Sequence, residues 1–113
     1  MSLKPAVCLI LTSVPDKDLG RLIARTLIEK RLAACVHLQP RGESCYWWEG
    51  RMETAEEHLL LIKTLESSFD EVSACISGLH AYELPEILLL PGLKGSKAYL
   101  DWVGTSVHDP EAS

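Results

Sequence analysis

Residues 43 to 64, "ESCYWWEGRMETAEEHLLLIKT", constrain the fold more than any other stretch. Glu49, Gly50 and Arg51 mark a turn between two extended runs, the second of which reaches Lys63. The pair forms a long hairpin whose halves differ in character. "LLLI" at 59 to 62 is core-like, whereas the tip half mixes polar and aromatic residues, so the tip projects beyond the body and another surface has to cover it. A chain of 113 residues forms one domain, 1–113, with about 108–113 as a flexible tail. Such a domain buries roughly two thirds of the surface its unfolded chain exposes.

Upstream, "PAVCLILTS" is almost wholly apolar from Ala6 to Leu11, the pattern of a central strand covered on both faces. "VPD" turns the chain. Leu19, Leu22, Ile23, Thr26 and Leu27 then recur at helical spacing opposite Arg21, Arg25, Glu29 and Lys30, which predicts a helix near 16–31. Gly20 weakens that helix by up to about 1 kcal/mol relative to alanine and is consistent with close packing. In "LAACVHLQP", Ala34, Val36 and Leu38 alternate with Cys35 and His37 until Pro40 and Gly42 force a bend or bulge.

Downstream of the hairpin, Ser68 and Glu71 stand at capping-box spacing ahead of a helix whose apolar stripe is Phe69, Val72, Ile76 and Leu79. "PEILLLP" is a short strand bracketed by prolines and belongs at a sheet edge, because proline cannot donate to a ladder. A last helix starts near Ser96, with Tyr99, Trp102 and Val103 on one face. The order is βαββαβ plus a terminal helix, an α+β pattern that predicts a ferredoxin-like sandwich: one antiparallel sheet, both main helices on the same side, and a long hairpin between the second and third strands. The other sheet face is then bare and aliphatic. Homo-oligomerisation with closed cyclic symmetry, through that face and the protruding hairpin, is the expected way to cover it.

Charge and composition narrow the partners. Eleven basic against sixteen acidic residues give a net charge of -5, and no Lys/Arg cluster offers an electrostatic footprint for nucleic acid. The longest apolar runs are far shorter than a membrane span, and the N-terminus does not follow a signal-peptide pattern. No nucleic acid, no membrane and a cytoplasmic location are therefore expected. The four cysteines, at 8, 35, 45 and 75, form no C-x-x-C pair and are expected to be reduced, mostly buried thiols.

Several residues have side chains that could do chemistry. Cys35 and His37, two apart on a strand, point the same way, and thiol plus imidazole suits copper or zinc; two ligands do not complete a site, however, and ordinary packing also explains the pair. His80 falls at a helix C-terminus, where the dipole alone favours a cationic imidazole. Glu83 and Glu86 could be paired acid/base carboxylates or solvated loop charges. Lys63, at the end of an apolar strand, could attract an anion or simply snorkel to water. Tyr46, Trp47 and Trp48 form an aromatic patch of the kind that anchors interfaces. The usual phosphate-loop, nucleotide, nucleophile-elbow and zinc-protease motifs are absent from the chain, and no enzyme activity is expected.

"RLAACV" at 31–36, "SCYWWEG" at 44–50, "LLLIKT" at 59–64 and "HAYELPEI" at 80–87 together resemble the CutA divalent-cation tolerance proteins, in the same order and over nearly the whole chain. The resemblance implies a ferredoxin-like subunit in a tight homotrimer, non-enzymatic, whose long hairpins wrap neighbours and whose motif residues gather in a cleft between subunits. By position, Trp48, Lys63, Tyr82 and Glu86 are its ligand-binding residues, and His80 and Cys35 the metal ligands, for copper or another divalent metal ion. Thr12 stands where some members carry cysteine, and Ala81 where proline is usual. The alternative is a PII-like signalling or scaffold trimer that binds a small anionic metabolite, in which Lys63 matters more than Cys35.

Overall fold

A computed structural model describes residues 6–107. The elements are β1 (Val7–Val14), α1 (Lys17–Glu29), β2 (Cys35–Leu38), β3 (Gly42–Trp48), β4 (Arg51–Leu65), a 3-10 turn (Glu66–Ser68), α2 (Phe69–Leu79), β5 (Leu88–Leu90) and α3 (Lys97–Ser106). The sheet runs β2-β4-β1-β5, every pair antiparallel, and β3 continues along β4 beyond β2. The expected tail, 108–113, lies outside the described residues.

Alternation along the two central strands decides the layering. Cys8, Ile10, Thr12 and Val14 of β1 and Leu60, Ile62 and Thr64 of β4 are fully buried. Ile23 and Leu27 of α1 and Val72 and Ile76 of α2 close over them, which puts both helices on one face as expected. Gly20 lets α1 approach: a Cβ there would stand 2.8 Å from Leu38 Cδ1 and 3.2 Å from Val14 Cγ2. On the opposite face α3 covers only one end, where Val103 and Val107 pack on Val7 and Leu65. Beyond that cap, Leu9, Leu11, Leu59 and Leu61 are half-buried and Leu88 and Leu90 are exposed. The double-sided cover expected of β1 is thus complete on one face and partial on the other.

The hairpin is as long as expected and carries the molecule to 52 Å along its longest axis against 25 and 24 Å across. Its turn is tighter than expected. Trp48 pairs directly with Arg51, leaving only Glu49 and Gly50 in the loop, both at positive φ (51° and 78°), so Arg51 belongs to β4. That two-residue turn matches the strands' right-handed twist. Between Leu38, opposite Leu60, and Gly42, opposite Glu57, the outer strand advances four residues against three, so a one-residue bulge sits where Pro40 interrupts the pattern.

Three local expectations fail for packing reasons. Ser68 makes no cap: the chain enters α2 through the 3-10 turn, and the Ser68 hydroxyl is buried without a hydrogen-bond partner among the described residues. Leu22 faces out of α1, and Tyr99 and Trp102 lie on the exposed side of α3 with ring centroids 5.5 Å apart, while Val103 makes the core contact beside Leu100. Cys45 is exposed on β3, unlike buried Cys8 and half-buried Cys35 and Cys75. None of the described helices is long and apolar enough to cross a membrane.

Candidate functional site

The segment from His80 to Ile87 leaves α2 and is fastened at two points. Backbone N–H of His80 donates to Ile76 O and ends the helix. The His80 ring then bonds Ser13 O through Nε2 at 2.7 Å and accepts Tyr82 N–H at Nδ1 at 3.0 Å. A carbonyl only accepts and a backbone amide only donates, so Nε2 is the donor and Nδ1 the acceptor in this arrangement. Tyr82 lies against the ring, centroids 4.8 Å apart, and its hydroxyl donates to Glu57 Oε2 at 2.6 Å. Burial first, then that hydrogen bond and the Glu57 charge, push the Tyr82 phenol well above its ordinary range. The segment is therefore tied to the end of β1 and to the base of the ribbon.

Between the ribbon and this segment lies a hollow of about 750 Å³. Tyr46 and Trp48 of β3 and Tyr82 supply its aromatic lining; Glu57, Glu83 and Glu86 supply carboxylates; Ser13, Ser44 and Cys45 add small polar groups. Among the described residues, its lining contains no lysine, arginine or histidine. The volume falls in the range of small-molecule sites.

Three of the residues expected in the cleft meet here: Trp48, Tyr82 and Glu86. Lys63 and Cys35 do not. They pair across β4 and β2, beside Leu9, on the open sheet face. Ser13 is four positions along β1 from Leu9, roughly 13 Å at strand rise. His80 stands behind the hollow as a fastener, with both ring nitrogens engaged. Within one subunit, then, Cys35 and His80 do not form a metal site, and no group of three or more His, Cys, Asp or Glu side chains that could hold an ion occurs among the described residues. The buried Cys8 thiol is no substitute, since desolvation, helped by the Glu66 charge, pushes it up to about 11.

Glu57 was not among the residues singled out from the sequence. Its place follows from tertiary pairing: in the β1–β4 register His58 faces Val14, the last residue of β1, so Glu57 is the first β4 residue past the end of that strand.

Comparison with known proteins supplies the context. The model of the CutA1 divalent ion tolerance protein family matches residues 8–106. Protein CutA 1, chloroplastic, of Oryza sativa is 40% identical over 105 residues, 93% of this chain and 59% of that protein, so the chain spans about three fifths of that relative's length. The divalent-cation tolerance protein CutA of Thermus thermophilus is 42% identical over 94 residues, 83% of this chain and 91% of that protein. Among solved structures, CutA1 from Oryza sativa superposes with a TM-score of 0.91 at 38% identity, covering 96% of this chain and 99% of that one. A CutA described as periplasmic, from Archaeoglobus fulgidus, gives 0.87 at 35% identity, covering 90% and 99%. The chain belongs to the CutA1 divalent ion tolerance protein family.

Proposed function

We propose that the chain serves divalent-cation tolerance as a non-enzymatic cytoplasmic homotrimer of ferredoxin-like subunits, with a small ligand or divalent ion taken up in the clefts between neighbours. The observation that carries this reading is the uncovered aliphatic stretch of the sheet, Leu9, Leu11, Leu59, Leu61, Leu88 and Leu90, lying next to a ribbon that extends past the core. Contiguous apolar surface of this kind marks an interface, and a head-to-tail contact closes into a ring when the rotation allows. The strand order, with each crossover helix skipping one strand, supports the ferredoxin-like description.

In that assembly Trp48, Tyr82 and Glu86 form one wall of the cleft, and Lys63 supplies charge to it from a neighbour's open face. Cys35 and His80 then act as ligands only across a subunit boundary, and His80 has to release either Ser13 O or Tyr82 N–H to coordinate. Thiol plus imidazole suits copper or zinc, and copper, which stands above zinc in intrinsic affinity, is the ion to test first. The anionic-metabolite alternative has weaker support, because carboxylates line the hollow and Lys63 lies outside it.

Static light scattering tests the assembly: a mass of three chains is expected, and a stable soluble single subunit overturns the reading. Copper titration by calorimetry tests the ligands, with stoichiometric binding expected to vanish in His80→Ala and in Cys35→Ala. Binding unchanged in both variants removes the copper assignment.

A further inference from the structure

We infer that the hollow between the ribbon and residues 81–86 recognises an organic cation with an apolar body, of the quaternary-ammonium type. This deepens the cleft reading above, on which it rests for the ligand's place, and it is carried by the lining itself.

Aromatic rings present a negative π face, and a cation held near one within about 6 Å is attracted by the ring quadrupole, most strongly by tryptophan. Trp48, Tyr46 and Tyr82 supply three such rings, while Trp47, between Tyr46 and Trp48 on β3, turns its side chain to the other face of the ribbon. Glu83 and Glu86 add carboxylates that are exposed, while Glu57 is held by the Tyr82 hydroxyl. Among the described residues, no cationic side chain of the same chain lines the hollow, and in the assembly proposed above a neighbour's Lys63 approaches the cleft only across a subunit boundary. An anion entering from this chain's side meets carboxylates and no cation of the same chain. A small hard metal ion finds no cluster of three ligating groups among the described residues and gains nothing from aromatic walls. A bulky monocation with a greasy surface satisfies both features at once, and a volume of about 750 Å³ accommodates one.

The Tyr82 ring is held in place without the ligand, by the His80 ring on one side and Glu57 on the other, and its hydroxyl ties residues 81–86 to the ribbon base. That wall loses little freedom on binding.

The test titrates the full chain with three probes that share a benzyl or phenyl body: benzyltrimethylammonium, benzyl alcohol and benzoate. Calorimetry reads affinity, and tryptophan emission reports on the walls. The cation is expected to bind at one per subunit, about tenfold or more tightly than the alcohol, with benzoate weaker still. Glu83→Gln with Glu86→Gln should lower the cation's affinity about tenfold and flatten its salt dependence, and Trp48→Leu should lower it by a similar factor. Equal affinity for cation and alcohol, preference for benzoate, an unaffected double glutamine variant, or no binding each overturns the inference. Light scattering on the same samples separates the two readings. A trimer that ignores the cation refutes only this inference, because a neighbour's side chains then fill the hollow, whereas a single subunit that binds it refutes only the assembly.

Discussion

The two faces of the sheet are built from nearly the same residues and have different fates. On the helix side, Ile10, Leu60 and Ile62 are fully buried under α1 and α2. On the other side, Leu9, Leu11 and Leu61, their immediate neighbours in sequence, remain half-buried, with Leu88 and Leu90 exposed at 53% and 42%. Side-chain type does not distinguish them. Position relative to the helices does: among the described elements α3 is the one helix on the second face, and it packs over the end that holds Val7 and Leu65. One face is closed by the chain's own helices, and the other stays open over Leu9, Leu11 and Leu61.

The sharpest way to break this contrast is to charge the open face. Leu11→Glu is expected to abolish assembly outright while leaving the far-ultraviolet circular dichroism of a folded subunit, because a carboxylate at a buried contact is too costly to desolvate unpaired. Retention of the oligomer by light scattering places the interface elsewhere. On the helix face the same strand pair responds through stability: Ile62→Ala should cost about 2–5 kcal/mol in chemical denaturation, lost transfer free energy plus the cavity left behind.

Smaller effects probe the fasteners at the edge of the open face. Tyr82→Phe leaves Glu57 without its donor and should cost about 1–3 kcal/mol in the same assay, with the ribbon base more open to hydrogen exchange. The mildest effect comes from the helix side. Cys8 is raised from 9.0 to about 11 in the folded chain, so its neutral thiol contributes full stability below pH 9, and that contribution is lost as pH rises from 9 to 11. The melting temperature is expected to decline across that window and to lose that part of the slope in Cys8→Ala.

Much of the framework was legible because each signal was local or periodic. Alternation in "LAACVHLQP", the interruption at Pro40 and the Glu49-Gly50 turn are sufficient to place the strand, the bulge and the hairpin. Where two neighbours on one helix compete for the core, periodicity alone chose wrongly: Trp102 and Val103 both looked inward, and the limited width of α3's contact admits only Val103 beside Leu100. Ser68 and Glu71 had the spacing of a capping box, yet the 3-10 entry turned Ser68 inward and broke it. In the site, Trp48, Tyr82 and Glu86 line one hollow of the chain, whereas Glu57 was hidden among the acidic residues of a ribbon strand.

The amino-acid sequence alone determined the order of elements, the length of the ribbon, the family and the presence of more aliphatic surface than one layer of helices can cover, since these follow from residue type and spacing along the chain. Only the tertiary structure decided which carboxylates share a cavity with which rings, and that Cys35 and Lys63 stand roughly 13 Å along the strands from the Ser13 end of that hollow. Those relations depend on strand register and on two long-range fasteners, His80 to Ser13 and Tyr82 to Glu57, which join residues 67 and 25 positions apart and leave no trace in local pattern.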